Sequence, residues 1–327
     1  MITRRTLLAW GLAGAALLGG GAVTAVYRVG LERAKARLAR NASQIVATRF
    51  GDLEYADIGG GPAILMIHGS GGGFDQGLLF AAPLAKAGYS IIAPSRFGYL
   101  RSSLPGDPSP ENQADAFIEL LDTLGIDKIM VVGGSAGALS ALAFAIRHPG
   151  RIAALVAIVP AAYAPGRPPA RPWSPFQEWL VRSVLQSDFL FWSAITLMPD
   201  RMTEILLATD PSLLADASEG ERIRVRDILE AILPVSQRAK GLLADMHFAG
   251  NPAPMALESI TAPTLAISLD DDLYLTADAA RHIAATVPGA RAIIYPSGGH
   301  VWVGHDREMF AAIDAFLKET AKTNQAL

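Results

Sequence analysis

The chain has 327 residues, 51% of them hydrophobic, enough for a sizeable core in one large α/β domain with an insertion or in two ordinary domains. A formal charge of −3 at pH 7 leaves no basic excess to neutralise phosphates, which argues against nucleic acid as a partner. With no cysteine there can be no disulfide, thiolate nucleophile or Cys-ligated zinc. The six histidines show no H-E-x-x-H spacing and there is no calcium-type loop, so no metal or other cofactor is expected.

Thr3-Arg4-Arg5-Thr6-Leu7-Leu8 leads into an uncharged stretch from Thr6 to Tyr27, close to the roughly 20 residues that cross a bilayer as a helix. Residues 1–30 therefore read as a membrane-spanning segment or as one resembling a twin-arginine export signal. The paired arginines and Gly11, Gly14, Gly19, Gly20 and Gly21 fit the latter, with a candidate cleavage end at Val23-Thr24-Ala25. Arg28, Arg33, Lys35, Arg37 and Arg40 make the downstream flank at least as basic as the upstream one. Export, or an anchor with the folded body outside the cytoplasm, is the favoured expectation, and an anchor facing the cytoplasm the alternative. Residues 31–44 read as a short charged linker helix, with folding proper from Ile45.

From there short apolar runs alternate with helical segments, the pattern of a mostly parallel sheet with helices on both faces. Val46–Phe50 and Leu53–Asp57 suit an opening hairpin. Ala63–Ile67 is a continuous apolar strand, as expected where both faces are covered, and it runs into His68-Gly69-Ser70-Gly71-Gly72-Gly73. Ser90–Ala93 is the next strand. Glu111–Leu124 is an amphipathic helix with Ala114, Phe117, Ile118, Leu121 and Leu124 on one stripe, stopped by Gly125. A strand from Ile129, a helix to His148 and a strand over Ile152–Val159 follow. The rhythm breaks at Pro160. Residues 161–262 show proline-rich turns, then helix-like pieces without a clear strand, and read as an inserted helical lid between the two parts of the core, 45–160 and 263–322. Its large side chains include Trp173, Phe176, Trp179, Phe189, Phe191, Trp192, Met198, Met202, Met246 and Phe248. Most are expected to form the insert's own core and a minority to line a pocket. The α/β rhythm resumes with strands at Thr264–Ser268 and Ala292–Tyr295 and helices near Thr276–Thr286 and Asp306–Lys318.

Gly133-Gly134-Ser135-Ala136-Gly137 sits between a buried strand and an apolar helix. Small residues at 133 and 137 let strand and helix approach, so that Ser135 is lifted clear of the sheet in strained geometry. The next amide, Ala136 N–H, opens a helix and points toward an anion. A serine hydroxyl needs a base to become nucleophilic, and that base needs a carboxylate to orient it. His300, in a glycine-bearing loop after the last strand, is the candidate base, with His305 in reserve. Asp270, Asp271 and Asp272 follow the strand Thr264–Ser268, and one of them is expected to serve His300. Glycines at 69, 71, 72 and 73 let further backbone N–H groups converge on developing negative charge. A phosphate loop would need a G-K-[ST] that is absent.

The His68-Gly69-Ser70-Gly71-Gly72 turn, Pro94-Ser95-Arg96-Phe97-Gly98-Tyr99, the Ser135 elbow, the aspartate cluster and Gly299-His300 occur in an order that resembles the α/β-hydrolase superfamily over about residues 45 to 320. The likeness is to its lid-bearing branch, with carbon–carbon bond hydrolases, epoxide hydrolases, dehalogenases, haloperoxidases and esterases. Epoxide hydrolases and dehalogenases place aspartate at the elbow, which Ser135 argues against. The resemblance implies Asp272 as the triad acid, and an oxyanion hole from the amides of Ala136 and Ser70, with Gly71 the further candidate. Two departures stand out. Ser95 replaces a frequent aspartate, and Ser268-Leu269 replaces a usual His-Gly. The expected function is a serine hydrolase acting through an acyl-serine on a small ester, lactone or thioester with an apolar or amphiphilic character. The alternatives are a carbon–carbon bond hydrolase, a lyase or perhydrolase, or a binding protein with an idle site.

Overall fold

Runs of apolar residues too short for helices become the inner strands of one eight-stranded sheet. The computed structural model describes residues 4–168 and 173–326, and side chains of these except at 4–20, 22 and 324–326. A long helix α1 (Arg4–Arg40) precedes the hairpin β1 (Gln44–Thr48) and β2 (Gly51–Ile58), then β3 (Ala63–Ile67), α2 (Phe74–Lys86), β4 (Ser90–Pro94) and α3 (Pro110–Thr123). Next come β5 (Ile129–Gly134), α4 (Gly137–Arg147) and β6 (Ile152–Ile158). Between β6 and the next strand stand only helices and turns among the described residues: α5 (Pro175–Leu185), α6 (Asp188–Leu197), α7 (Pro199–Leu207), α8 (Glu219–Glu230) and α9 (Ala239–Phe248). The chain closes with β7 (Thr264–Leu269), α10 (Thr276–Thr286), β8 (Arg291–Tyr295) and α11 (Asp306–Ala326).

The strand order is β1-β2-β4-β3-β5-β6-β7-β8. Only the β1–β2 and β2–β4 pairs are antiparallel, and β4 through β8 run parallel, as the α/β rhythm predicts. Successive residues of a strand face opposite sides. Leu65, Ile67 and Val131 therefore pack with Phe117, Leu142, Phe144 and Ile283 on one face. Ile64, Met66 and Val132 pack with Leu78, Leu84, Phe310 and Ile313 on the other.

A third cluster joins the helical segment to the rest. Leu185, Phe191, Ile195, Leu207, Val225, Ile228 and Leu229 pack with Tyr99 after β4, Val301 after β8 and Ala34 of α1. This corrects the expectation for the segment's large side chains. Of the ten, only Phe191 and Met202 are buried, and Trp173, Phe176, Trp179, Phe189, Met198 and Met246 are exposed. Branched aliphatic residues, which fill small gaps between short helices, form its core instead.

The anchor part of the N-terminal expectation finds no support. The arginine pair and most of the uncharged stretch lie outside the residues whose side chains are described, and among the described residues no helix is long and apolar enough to cross a membrane. A membrane-spanning reading of residues 1–30 is thus unsupported. Nor are residues 31–40 a separate linker, because they continue α1 as it packs on protein. Tyr27 meets Phe189 edge-on at 5.2 Å and Trp192 at 5.5 Å, and Arg37 donates to the carbonyl of Glu230 at 2.5 Å. Ala34 is 1% exposed, packed in the cluster of the helical segment. Ala34→Leu is expected to lower the unfolding free energy by about 1–3 kcal/mol through overpacking, measured by urea denaturation.

Candidate active site

Ser135 joins β5 to α4 with φ of +51°, a left-handed conformation that costs a non-glycine residue on the order of 1–3 kcal/mol. The surroundings enforce it. Its N–H donates to Ile158 O at 2.9 Å, and its carbonyl accepts from Ala138 N–H at 3.0 Å and Ala161 N–H at 3.1 Å. A Cβ on Gly133 would lie 2.7 Å from Ala141 Cβ, and one on Gly137 would meet the carbonyl of His68 and come within 2.6 Å of that of Ile67. The glycines therefore let α4 sit directly against β3 and β5. Gly69 passes over the serine, its position for a Cβ only 3.0 Å from Ser135 Cβ.

His300 lies between Ser135 and Asp272. Its Nε2 is 2.9 Å from Ser135 Oγ and its Nδ1 2.8 Å from Asp272 Oδ2. The three adjacent aspartates have three separate partners. Asp270, half exposed, pairs with Arg281 on α10. Asp271 accepts the N–H groups of Gly298 and Gly299, each at 2.9 Å, and so shapes the loop that carries His300. Asp272 is 1% exposed, and it also accepts from Tyr274 N–H at 2.8 Å and from the Thr276 hydroxyl. Ser268, the departure noted above, holds that hydroxyl at 2.8 Å. Burial pushes the Asp272 carboxyl up, but the charge and hydrogen bond of His300 and the bonds from Thr276 and Tyr274 outweigh it and hold it below the ordinary carboxylate value. His305 is elsewhere, stacked on Tyr295 at 4.3 Å and facing Glu308.

The loop after β3 is fastened from the segment after β4 and from α9. The Arg96 backbone N–H donates to His68 Nε2 at 2.9 Å, and Arg96 Nε donates to His68 O at 2.9 Å. His68 Nδ1 donates to Gly69 O at 2.7 Å, which fixes the tautomer. Burial, then the Arg96 charge, drives the imidazole well below its usual value, so His68 is neutral. Arg96 pairs with Asp245 of α9 through both guanidinium nitrogens, at 2.7 and 2.5 Å. At the other end of α9, Arg238, fully buried, grips Asp75 at 2.8 Å and the carbonyl of Gly72. Ser95, at the position of the frequent aspartate, accepts Phe74 N–H at 3.0 Å and donates to Glu54 at 3.2 Å.

Among the expected anion donors the structure separates Gly71 from the others. Gly71 N–H donates to Tyr99 Oη at 3.2 Å, so it is engaged and corrects that assignment. No protein acceptor takes the N–H of Ser70 or of Ala136 among the described residues. The partners Arg96–Asp245 and Arg238–Asp75 were invisible in the sequence because each pair is separated by well over a hundred residues.

Because Asp272 titrates lower in the folded chain than unfolded, it adds stability above the ordinary value of 3.8, and that contribution is lost as pH falls through the folded value. Asp272→Asn is expected to flatten the fall of unfolding free energy below about pH 4, measured by denaturant titration across the acid range.

The comparisons place the fold among known proteins. A family model described as the alpha/beta hydrolase fold matches residues 62–303. An uncharacterized hydrolase of Bacillus subtilis, YcgS, is 28% identical over 274 residues, 78% of this chain and 91% of its own. A 2-hydroxy-6-oxononadienedioate/2-hydroxy-6-oxononatrienedioate hydrolase of Dechloromonas aromatica is 28% identical over 271 residues, 79% of this chain and 89% of its own. The solved alpha/beta hydrolase fold protein from Nakamurella multipartita superposes with TM-score 0.67 at 27% identity, covering 86% of this chain and all of that one. A solved membrane phospholipase A shares the fold with TM-score 0.61 at 21% identity, and covers 98% of this chain and 99% of its own, so the likeness takes in most of α1. A match of this extent, on a sheet of this order, makes the chain a member of the alpha/beta hydrolase fold family.

Proposed function

We propose that this chain is a serine hydrolase that cleaves a small carboxylic ester, lactone or thioester with an apolar part through an acyl-serine intermediate. The observation that carries the reading is the unbroken hydrogen-bond chain Ser135–His300–Asp272 at a strained elbow. In this mechanism Ser135 Oγ attacks the carbonyl carbon as its proton passes to His300 Nε2. Asp272 holds the Nδ1 proton and stabilises the imidazolium. The tetrahedral oxyanion is received by the amides of Ser70 and Ala136, where one such donor is worth roughly 3–4 kcal/mol. His300 then protonates the leaving group as the acyl-serine forms, takes a proton from the water that attacks the acyl carbon, and returns it to Ser135 Oγ as the second tetrahedral state releases the acid. The helices α5 to α9 act as the lid over this site.

The apolar preference is supported by what flanks the reacting groups. Ile232 sits against Gly71, and Tyr274 stands edge-on to His300 at 5.0 Å. Leu273 and Leu275 lie exposed beside Tyr274. Carbon–carbon bond hydrolysis is the second reading, favoured by the relative from Dechloromonas aromatica. Its named substrates are dianions, whereas Arg96 and Arg238, the arginines shown above to lie against the Ser70 loop, are already paired with Asp245 and Asp75, which favours an uncharged ester.

A fluorophosphonate probe is expected to label the wild type and not Ser135→Ala, and an unlabelled wild type would sink the proposal. On chromogenic esters of graded acyl length, run beside a carbon–carbon hydrolase substrate, His300→Ala is expected to lower kcat by about 10⁴-fold or more, while His305→Ala stays within about twofold. The aspartates are expected to separate in the same assay. Asp272→Asn should cost about 10⁴-fold by freeing the wrong imidazole tautomer, Asp271→Asn about tenfold through the loop, and Asp270→Asn less than about twofold.

A further inference from the structure

The loop from His68 to Gly73 is rich in glycine, and a free loop of that composition has no single conformation. Here each of its residues from 68 to 72 has at least one polar atom tied. His68 O and Nε2 go to Arg96, Gly69 O accepts from His68 Nδ1, Gly71 N–H goes to Tyr99 Oη, and Gly72 O goes to Arg238. The side chain of Ser70 donates to Asp245 Oδ2 at 2.9 Å. The same carboxylate receives Arg96 at 2.7 and 2.5 Å and Tyr99 Oη at 2.5 Å. Asp245 is thus one buried anion, 7% exposed, that gathers the three side chains which in turn hold residues 68, 70 and 71. Charge-assisted bonds of this kind have defined direction, and none of them engages the Ser70 N–H.

We infer that Asp245 of α9 and the hydroxyl of Ser70 are positioning residues that aim the Ser70 amide at the reacting carbonyl oxygen. This rests on the serine-hydrolase reading, in which that amide receives the oxyanion. Asp245 acts from the helical segment: without it Ser70 Oγ loses its acceptor, Arg96 loses its counter-ion, and the amide is free to rotate away. The substrate does not touch Asp245, so its loss weakens the transition state more than the bound ester.

The test compares wild type with Ser70→Ala, Ser70→Thr, Asp245→Asn and the Ser70→Ala/Asp245→Asn double variant. Each is assayed for kcat and KM on p-nitrophenyl butyrate, for affinity toward an aryl trifluoromethyl ketone, which forms an oxyanion on serine, and for thermal unfolding. Ser70→Ala is expected to lower kcat about tenfold and ketone affinity by the same factor with KM within about twofold, and Ser70→Thr, which keeps the hydroxyl, to restore most of both. Asp245→Asn is expected to lose about 100-fold in kcat, and the double variant no more than Asp245→Asn alone, because Ser70 works through that carboxylate. Should Asp245→Asn fail to fold, Ser70→Ala and Ser70→Thr decide by themselves, since neither strips Arg96 of its partner. Wild-type kcat and ketone affinity in Ser70→Ala, or fully additive losses in the double variant, would overturn the inference while leaving an active wild type as the mark that Ser135 chemistry stands. A wild type that neither hydrolyses the ester nor binds the ketone overturns the serine-hydrolase reading, and this inference with it.

Discussion

The left-handed backbone at Ser135 is the constraint on which the rest of the site depends. A serine reaches that conformation only because α4 can lie against β3 and β5 with no side chain between them, at Gly133 and Gly137. The sheet resists the strain cooperatively: the amide and carbonyl of Ser135 are bonded to the neighbouring strand β6 and the turn beyond it, so the strained residue cannot relax without breaking those bonds. The hydroxyl is thereby held where loops after β3, β7 and β8 converge, at the carboxyl ends of parallel strands.

Those loops are not self-supporting. The loop of His300 is shaped by Asp271 from below and by the helical segment from above, where Thr209 accepts Val301 N–H at 3.3 Å, Arg224 donates to Val301 O at 2.7 Å and Glu221 accepts Gly304 N–H at 3.0 Å. The loop of Ser70 is held by Arg238 and Asp245 at the two ends of α9. Burying these ions is costly, and the cost is offset only because each has several well-aligned partners. The helices α8 and α9 are consequently part of the scaffold of the site. Most of the exposed large apolar side chains of the segment lie instead on α5 and α6, with Phe176 67% and Trp179 61% exposed, and α6 is where α1 packs through Tyr27.

Much of this was legible in the residues because it rests on local chemistry. Continuous apolar runs such as Ala63–Ile67 and Ile152–Ile158 mark strands covered on both faces, and the helices between them follow from spacing alone. The elbow was legible because only glycine fits at 133 and 137, and Asp272 and His300 because each stands on a loop just past a strand end. Other features escaped for equally physical reasons. Gly71 looked interchangeable with Ser70 until Tyr99 engaged its N–H, and the aromatic residues of α5 and α6 looked like core because hydrophobicity does not say which face of a short helix is covered. The N-terminal stretch looked separate, although its charged continuation packs on the helical segment.

By itself, then, the amino-acid order determined the alternation of strands and helices, the sharp turn at Ser135 and the small set of side chains able to do acyl chemistry, since each follows from the preferences of a few neighbouring residues. Tertiary structure alone decided what Asp270 and Asp271 do beside Asp272, which loop amides stay unengaged, and that Asp245 and Arg96, 149 residues apart, share one buried site. The division has a simple cause. Backbone propensity and hydrophobic period act over a few residues, whereas the pairing of buried charges depends on distances that exist only once the chain has closed on itself.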